Sequence, residues 1–439
     1  MSDAAVRHEG MPPGPGGSAA FMTWRFLRDR YKHIPPIHEK YGDTFLIQLL
    51  PGPRNLVVFS DPADIKEIFA ADPSQFHAGE GNAILKPVMG EHSLLLTDDM
   101  EHTRGRRLLM PAFTGPSMRA YQPLVEAIAK VEIDSWNDGD KLITLDRMNA
   151  ITLDVILQVV FGVTDEERLS VLRPKVNKMV NIEAKMLLAW SYPKLFALPP
   201  WRGYFKNQQE VDKLLFAEIA ERRAASDLDG RDDVLSRLLR VGDTEGEEPL
   251  SDIEMRDQLV TLLLAGHETT ASALSWTLHE LGRNPEIQAK ALAAADNGDD
   301  AYLEACLKEG MRLHPIIDFV ARTLQSDQVV GGWALPRGTT VTPSIMLSHS
   351  REENFADAHL YDPERFMVGK VPANTWIPFG GGVRRCIGAA FSLMEGTVVL
   401  REVLQRYSVE APKVAPNKLR NITNVPGDKA PVKLTARVS

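Results

Sequence analysis

One cysteine, Cys386, lies in a glycine-dense turn over residues 379–388, directly after two arginines. A thiolate can bind a soft or borderline metal, and an iron held by one thiolate is electron-rich. Glycines let the backbone turn and approach a flat ligand where a Cβ would clash. The following segment, Ala390-Phe391-Ser392-Leu393-Met394-Glu395, is predicted to be a helix, whose N-terminal amides would stabilise negative charge on the sulfur. Our hypothesis from these residues is that Cys386 is the axial ligand of a haem iron.

Two other interpretations of this turn are possible. A lone cysteine is usually a small buried apolar residue, and a glycine cluster can instead bind phosphate. The dinucleotide-binding version follows a strand and has an acidic residue about 20 residues later. Glu395 and Glu402 lie at other separations, within a helical pattern. The phosphate interpretation is therefore weak, and the buried thiol remains open at this point.

A long central helix is predicted to begin at a capping box, Ser251-Asp252-Ile253-Glu254. The next clear stop is at residues 282–285, so the helix has on the order of 30 residues. Its residues 259–265 are apolar on nearly every face, and such a helix should cross the core instead of lying on it.

The middle of this helix contains polar residues, Ala265-Gly266-His267-Glu268-Thr269-Thr270. A zinc protease would need a second histidine four residues after His267, but that position is Ala271. Two interpretations remain. The hydroxyl and carboxyl could deliver protons to a bound oxygen molecule, or a threonine could simply donate a hydrogen bond to the carbonyl one turn earlier.

The cysteine turn resembles the cysteine-loop signature of the cytochrome P450 family at Phe379, Gly382, Arg384, Cys386 and Gly388. Four further segments resemble the family's other motifs and occur in the correct order along the chain. His102 to Arg106 resembles the HxxxR arrangement and 265–270 resembles the oxygen-activation motif. Glu309 to Arg312 resembles the ExxR motif and 362–366 resembles the PERF segment. The resemblance covers residues from roughly 35 to the end. It implies a mainly α fold with small β-sheets, a single triangular domain, and a long central helix over the haem.

The resemblance also implies roles for particular residues. Cys386 would bind the iron of haem b, Thr269 would hydrogen-bond dioxygen or its water, and Glu268 would relay protons from solvent. The residues implied to contact the haem or its propionates are His102, Arg106, Ala265, Arg322, Phe379, Gly380, Arg384 and Gly388. Ala265 and Gly266 would leave room beside the haem face. Glu309, Arg312 and Arg365 would form a buried triad that positions the cysteine loop, while Cys306 is assigned to the core.

Composition limits the other function classes. The chain has 439 residues, a net charge of -9 and two cysteines 80 residues apart, so it shows no nucleic-acid signature and no disulfide framework. No apolar run approaches the ~20 residues that span a membrane, and no signal peptide is evident. We therefore expect a cytoplasmic protein without a membrane anchor. We expect a flexible Pro/Gly-rich lead-in at 1–20 and one domain at 21–439.

A hairpin is expected at 45–59, as are strands near 322, 328 and 339. Helical spacing predicts helices over 98–120, 121–137, 146–161, 165–180, 208–224 and 231–240, and one capped by Asp300. The connection at 189–201 could be a mobile lid.

The expected activity is a monooxygenase that uses dioxygen on a small apolar substrate, such as a fatty acid, terpenoid or steroid-like molecule. Electrons would come from a ferredoxin or flavodoxin with its reductase, docked where Arg385 and Lys308 add positive charge, and the enzyme is expected to be a monomer. Asp318 could anchor a polar substrate group or form a salt bridge. The alternatives are a haem-binding sensor or carrier, and a peroxide-driven or isomerase-type haem-thiolate enzyme. Substrate-lining candidates lie in 80–95, 182–200, 258–266, 316–321 and 421–425, and include Leu262, Ala265, Ile317, Phe319, Val320 and Ile422.

Overall fold

The computed structural model describes residues 8, 10–50, 54–180, 193–199, 201–240, 248–420 and 422–437. Helices dominate it. They are α1 Ala19–His33, α2 Pro35–Tyr41, α3 Pro62–Ala70, α4 Lys86–Met89, α5 Asp99–Leu109, α6 Gly115–Ile133, α7 Thr144–Phe161, α8 Glu166–Val180, α9 Trp201–Arg223, α10 Val234–Arg240, α11 Asp252–Arg283, α12 Pro285–Asn297, α13 Asp300–Leu313, α14 Ile345–Ser350 and α15 Ala389–Arg406.

The strands form small sheets beside the helices. They are β1 Thr44–Leu49, β2 Arg54–Phe59, β3 Phe76–His77, β4 Lys141–Ile143, β5 Arg322–Leu324, β6 Gln328–Val330, β7 Trp333–Leu335, β8 Thr340–Pro343, β9 Tyr407–Glu410, β10 Asn417–Arg420, β11 Thr423–Pro426 and β12 Pro431–Ala436. The largest sheet has the order β1-β2-β8-β5-β3, with β2 and β8 parallel and Leu56 opposite Thr340. The order β4-β12-β9 forms a second sheet, and β6–β7 and β10–β11 are hairpins. The expectation of a mainly α fold with small sheets is confirmed.

The central helix α11 crosses the core, as its all-round apolar sequence predicts. It packs against α7, α13 and α15, and Trp276 near its C-terminal end is fully buried, with its ring stacked 3.9 Å from that of His314. The predicted capping box is confirmed. The Ser251 hydroxyl accepts a hydrogen bond from the Glu254 N–H at 3.2 Å, and the Glu254 carboxylate accepts one from the Ser251 N–H at 2.8 Å.

Several predicted helix bounds were wrong. The helices predicted over 98–120 and 121–137 were expected to meet between residues 120 and 121. In the structure the break comes earlier, because α5 ends at Leu109 and a 3₁₀ turn over Met110–Phe113 precedes α6. Pro111 has no N–H to donate, so an α-helix cannot continue regularly through it. Helix α9 begins at Trp201 instead of 208. Asp299, not Asp300, caps α13 by accepting from the Tyr302 N–H at 3.3 Å.

The predicted lead-in, residues 1–20, is partly attached to the domain. The Pro13 carbonyl accepts a hydrogen bond from the Leu46 N–H at 2.9 Å, and the His8 ring stacks 4.1 Å from that of Trp333. Residues 189–192 and 200 of the expected lid, and the turn of the 45–59 hairpin, lie outside the described residues. In the part that is described, no single helix has both the length and the apolar composition to cross a membrane, although α7 and α8 taken together pass that test with a bend of 115° between them.

Candidate functional site

The cysteine turn is closed by backbone hydrogen bonds. The Gly380 N–H donates to the Ile377 carbonyl and the Cys386 N–H donates to the Phe379 carbonyl, both at 2.9 Å. Gly380 and Gly382 have φ of 65° and 64°, a region that favours glycine. A Cβ on Gly382 would lie 2.1 Å from the Phe69 carbonyl oxygen. These glycines therefore let the turn form against α3 and present Cys386.

The Cys386 side chain is exposed by surface area, yet protein atoms surround it closely enough for burial to raise the pKa of its thiol. A side chain that lines an interior space has both properties. The Gly388 N–H and the guanidinium groups of Arg106 and Arg385 act in the opposite direction on that pKa, because they favour the thiolate. Gly388 is the N-cap residue of α15, and a helix after the cysteine turn was predicted from the sequence. The environment suits a thiolate whose charge is shared with a metal ion.

Four basic side chains lie near one another, and one of them, Arg106, also acts on this thiol. Burial, together with the charges of Arg384, Arg106 and Arg322, lowers the pKa of His102 to about 4. Burial also lowers the pKa of Arg322 to about 10, again with a contribution from Arg384. Arg384 donates to the Asp98 carboxylate and to the Thr97 carbonyl, the latter at 2.6 Å.

Each of these lowered pKa values means that positive charge is unfavourable where the basic groups meet. A bound anion would remove that penalty, and guanidinium groups bind carboxylates in a bidentate manner. The charge of this cluster suits the two carboxylates of haem b, the cofactor that the resemblance implies. The site residues thus match the donor set and the charge of a haem.

The polar segment of α11 contains side chains that are exposed inside an otherwise buried helix. Ala265 is exposed and Thr269 is half-buried, although most of α11 around them is buried. The Thr269 hydroxyl donates to the Ala265 carbonyl at 2.6 Å, so the local back-bond that the sequence left open is present. Glu268 is 7% exposed, and its Oε1 atom lies 2.9 Å from Nε of Arg420.

The role expected for Gly266 is corrected by its surroundings. A Cβ on this residue would lie 2.8 Å from the Cδ1 atom of Ile156 in α7. The missing side chain therefore allows α7 and α11 to pack closely, instead of leaving room beside a cofactor.

The triad of Glu309, Arg312 and Arg365 has the expected contacts. Nε and Nη2 of Arg312 donate to the two carboxylate oxygens of Glu309 at 2.7 Å each, and Nε of Arg365 donates to Oε1 at 3.0 Å. Arg312 also donates to the carbonyl of His349, whose ring accepts from the Ile377 N–H at 2.9 Å. Since Ile377 bonds to Gly380, a continuous set of hydrogen bonds joins the triad to the cysteine turn.

Asp318 forms a structural contact in place of a free carboxylate. Its side chain is 1% exposed, it accepts a hydrogen bond from the Tyr31 hydroxyl, and its Oδ2 atom lies 3.3 Å from Nε of Arg30. The salt-bridge alternative of the sequence analysis is thus the one present. Lys308 pairs with Glu304 at 2.5 Å and lies over the Trp376 ring, so its charge is partly neutralised.

Sequence reasoning did not identify Asp98 or Arg420. Asp98 precedes the HxxxR helix, and its carboxylate accepts from the Ala78 and Gly79 N–H groups as well as from Arg384. Its position at the start of the helix predicted over 98–120 was the one available signal. Arg420 has no local signal, because its partner Glu268 is distant in the chain.

Comparisons with known proteins agree with this geometry. The family model for cytochrome P450 matches residues 12–430. The chain is 49% identical over 436 residues to cytochrome P450 135A1 of Mycobacterium tuberculosis, covering 98% of this chain and 96% of that protein. It is 39% identical over 435 residues to cytochrome P450 135B1 of Mycobacterium bovis, covering 97% and 92%.

Solved structures share the fold. The retinoic acid-bound cyanobacterial CYP120A1 superposes with a TM-score of 0.84 at 23% identity, covering 98% of this chain and all of that one. The haem domain of cytochrome P450DA gives a TM-score of 0.81 at 24% identity, covering 98% of each chain. With the relatives' identity and coverage, these findings establish that this chain belongs to the cytochrome P450 family, whose members are haem b monooxygenases.

Proposed function

We propose that this enzyme inserts one oxygen atom of dioxygen into a small apolar substrate, with electrons supplied by a separate redox protein. The observation that carries this proposal is the position of Arg106. Its guanidinium acts on the Cys386 thiol and also on His102 in the basic cluster. One site therefore combines a thiolate donor with cations for two carboxylates, which is the donor set that a haem needs.

The Cys386 thiolate would bind the haem iron, and the basic cluster would bind the haem propionates. His102, Arg106, Arg322 and Arg384 would hold the two carboxylates. Ala265, Phe379, Gly380 and Gly388 would contact the macrocycle. When bound, the haem supplies dioxygen activation, which an electron-rich thiolate ligand favours. The protein residues orient the cofactor and control its protons.

Thr269 and Glu268 are assigned to proton handling. Thr269 is half-buried on the exposed stretch of α11, and its hydroxyl donates a hydrogen bond to the Ala265 carbonyl. A rotation of this hydroxyl would let it donate to the reacting oxygen. Glu268, one residue earlier, would replace the proton from solvent. A sensor or carrier has no use for this acid–alcohol pair, so the enzyme is favoured over that alternative.

The substrate is assigned as apolar from the residues around the site. Leu262 and Ile317 are apolar, and Phe319 packs 5.7 Å from Phe26. Val320 lies 3.7 Å from the Cβ position of Gly380, next to the cysteine turn. A fatty acid, terpenoid or steroid-like molecule fits these surfaces. A screen of such compounds by the spin-state shift of the ferric haem tests the class, and retinoic acid is a suitable member because one structural neighbour binds it.

The electron donor is assigned as a ferredoxin or flavodoxin with its reductase, and the cytoplasm as the compartment. Arg385 is exposed directly before Cys386 and supplies positive charge on that side. An acidic surface on the donor would complement it. Because Lys308 is already paired with Glu304, we assign the larger contribution to Arg385.

Labelled dioxygen tests the reaction type. The enzyme is reconstituted with a ferredoxin and its reductase and given the compound that shifts its spin state most. We expect a hydroxylated product that carries one labelled oxygen atom. A product formed only when peroxide is added would favour the peroxide-driven alternative. If the compound binds but no product forms, either with dioxygen and the ferredoxin system or with peroxide, the sensor alternative is favoured.

A further inference from the structure

A cleft of about 1670 Å³ lies between α6, α7, α8 and the β10–β11 hairpin. His267 of the central helix and Arg420 of β10 are part of its wall. Val131, which is 76% exposed, and the exposed Lys429 also line it, so the cleft reaches solvent. The cleft thus connects the outside of the protein to the part of α11 that precedes Thr269.

Buried polar atoms in this cleft lack well-aligned hydrogen bonds among the described residues. His267 is 2% exposed, and neither ring nitrogen makes such a bond, although the Asn149 backbone lies close enough to act on the ring as an acceptor. Oδ1 of the half-buried Asn149 also lacks one. Leaving a buried polar group unsatisfied is unfavourable, and ordered water commonly provides the missing partner. Burial lowers the pKa of His267 to about 4, and Arg420 adds to this effect, so its neutral ring can both donate and accept. The cleft is therefore suited to a chain of water molecules.

Arg420 separates this cleft from Glu268. Its Nε atom lies 2.9 Å from the Glu268 carboxylate, while the residue itself lines the cleft. Strand pairing fixes it, because Arg420 lies opposite Thr423, whose hydroxyl donates to the Arg420 carbonyl at 2.8 Å. A buried carboxylate is stable only when a cation or hydrogen bonds compensate its charge. Arg420 supplies such a cation.

We propose that the cleft is the water route by which protons reach Glu268, and that Arg420 is the positioning residue that holds the Glu268 carboxylate charged at the end of this route. This inference rests on the proton-relay role proposed above. A solvent proton passes from cleft water to a Glu268 oxygen, and the neutral carboxyl group releases Arg420. The Glu268 carboxyl group then gives this proton to the Thr269 hydroxyl oxygen, and the hydroxyl gives its own proton to the reacting oxygen. The restored carboxylate pairs again with Arg420.

Infrared titration of the protonated carboxyl band tests the role of Arg420 without any turnover. The spectrum of each variant is measured as a difference from the spectrum of the same variant that also carries Glu268→Gln. The carboxyl bands of other buried acids such as Glu395 are then subtracted. We expect Arg420→Gln to raise the midpoint of Glu268 protonation by at least about one pH unit. Lys418→Gln removes a charge from the same strand and the same cleft, and we expect a much smaller shift. Equal shifts for the two variants would overturn the role of Arg420.

Hydrogen–deuterium exchange of that same band tests the route. In the Arg420→Gln background, at a pH where Glu268 is protonated, the band should shift rapidly on transfer to heavy water. Ala150 and Ala127 line the cleft, so Ala150→Trp or Ala127→Trp would place a large side chain in it. Adding either substitution should slow this exchange about tenfold or more. Ala220→Trp adds the same side chain at an exposed position of α9 outside the cleft and should leave the rate unchanged. Unchanged exchange in both filled variants would overturn the route.

These measurements are independent of the proposed function. If Arg420 and the cleft behave as expected but Glu268→Gln leaves product formed per electron unchanged, the relay role of Glu268 is wrong while the contact and the route are right. If Glu268→Gln reduces coupling but cleft filling has no effect on exchange, protons reach Glu268 by another route.

Discussion

The side chains of Arg312 and Glu309 form a doubly hydrogen-bonded ion pair with almost no exposure to solvent. Both N–O distances are 2.7 Å, and the two side chains are 1% and 0% exposed. A buried carboxylate of this kind is costly to leave without its partner. Because Arg312 is also bonded to His349, and His349 to Ile377, two residues before the cysteine turn, the pair supports the turn from within the fold.

Arg312→Gln should therefore reduce both folding stability and haem retention. Removing one partner of a buried pair costs about 3–5 kcal/mol, because the remaining charge is uncompensated. Urea unfolding and haem content per protein measure the two effects. Lys290→Gln is the matched control, since it breaks an exposed pair with Glu364 worth about 0–1 kcal/mol. Equal losses in the two variants would contradict the structural role of the triad.

Arg322→Gln should weaken haem binding without unfolding the protein. Removing one charge-assisted hydrogen bond to a carboxylate costs about 1.5–3 kcal/mol, or roughly 10- to 150-fold in affinity. Transfer of haem to excess apomyoglobin measures the change as a faster dissociation rate. Arg337→Gln, at an exposed position, serves as the control. If the two variants lose haem at the same rate, Arg322 does not bind a propionate.

Thr269→Ala should lower the amount of product formed per electron consumed and raise peroxide release. The alanine lacks the hydroxyl that we assign to proton transfer, while the helix itself does not need it. Loss of general acid–base function typically costs about 10²–10⁴-fold in the step concerned. Thr269→Ser keeps a hydroxyl and should retain most of the coupling. Coupling that is unchanged in the alanine variant would remove Thr269 from the mechanism.

Asp318 should make stability depend on pH. Burial raises the pKa of this carboxyl from 3.8 to about 6, with Arg30 and Tyr31 acting in the opposite direction. The folded protein therefore holds this proton more tightly than the unfolded chain, and the resulting stabilisation is lost as pH rises towards 6 and beyond. The free energy of unfolding of the wild type, minus that of Asp318→Asn, should fall by about 1 kcal/mol from pH 5 to pH 7. A difference that rises over this range would mean that the Arg30 contact dominates.

Local patterns predicted the parts of the site that lie within one segment. The cysteine turn, the capped helix and the acid–alcohol pair are each defined by neighbouring residue types, and the structure has these segments in the predicted forms. Contacts between segments that are distant in the chain could not be predicted in this way. The partner of Glu268 lies on a hairpin far along the chain, and Asp98 binds both a preceding loop and Arg384.

Packing at particular positions also could not be predicted from one chain segment. Gly266 was expected to leave space beside the cofactor, but its neighbour is Ile156 of another helix. Helix ends were similarly uncertain where proline lay inside a helical pattern. Pro111 ends an α-helix, whereas Pro123 lies within α6. The difference depends on which carbonyls and side chains surround each proline in the folded protein.

The spectrum of the reduced, carbon monoxide-bound protein tests the central assignment most directly. If Cys386 is the axial ligand, the Soret band should lie at the red-shifted position typical of thiolate-ligated haem, and Cys386→His should move it to the histidine-ligated position. Cys306→Ala, at the other cysteine, should leave the thiolate band in place. A wild-type band at the histidine-ligated position, in freshly prepared protein that is fully folded, would contradict the account.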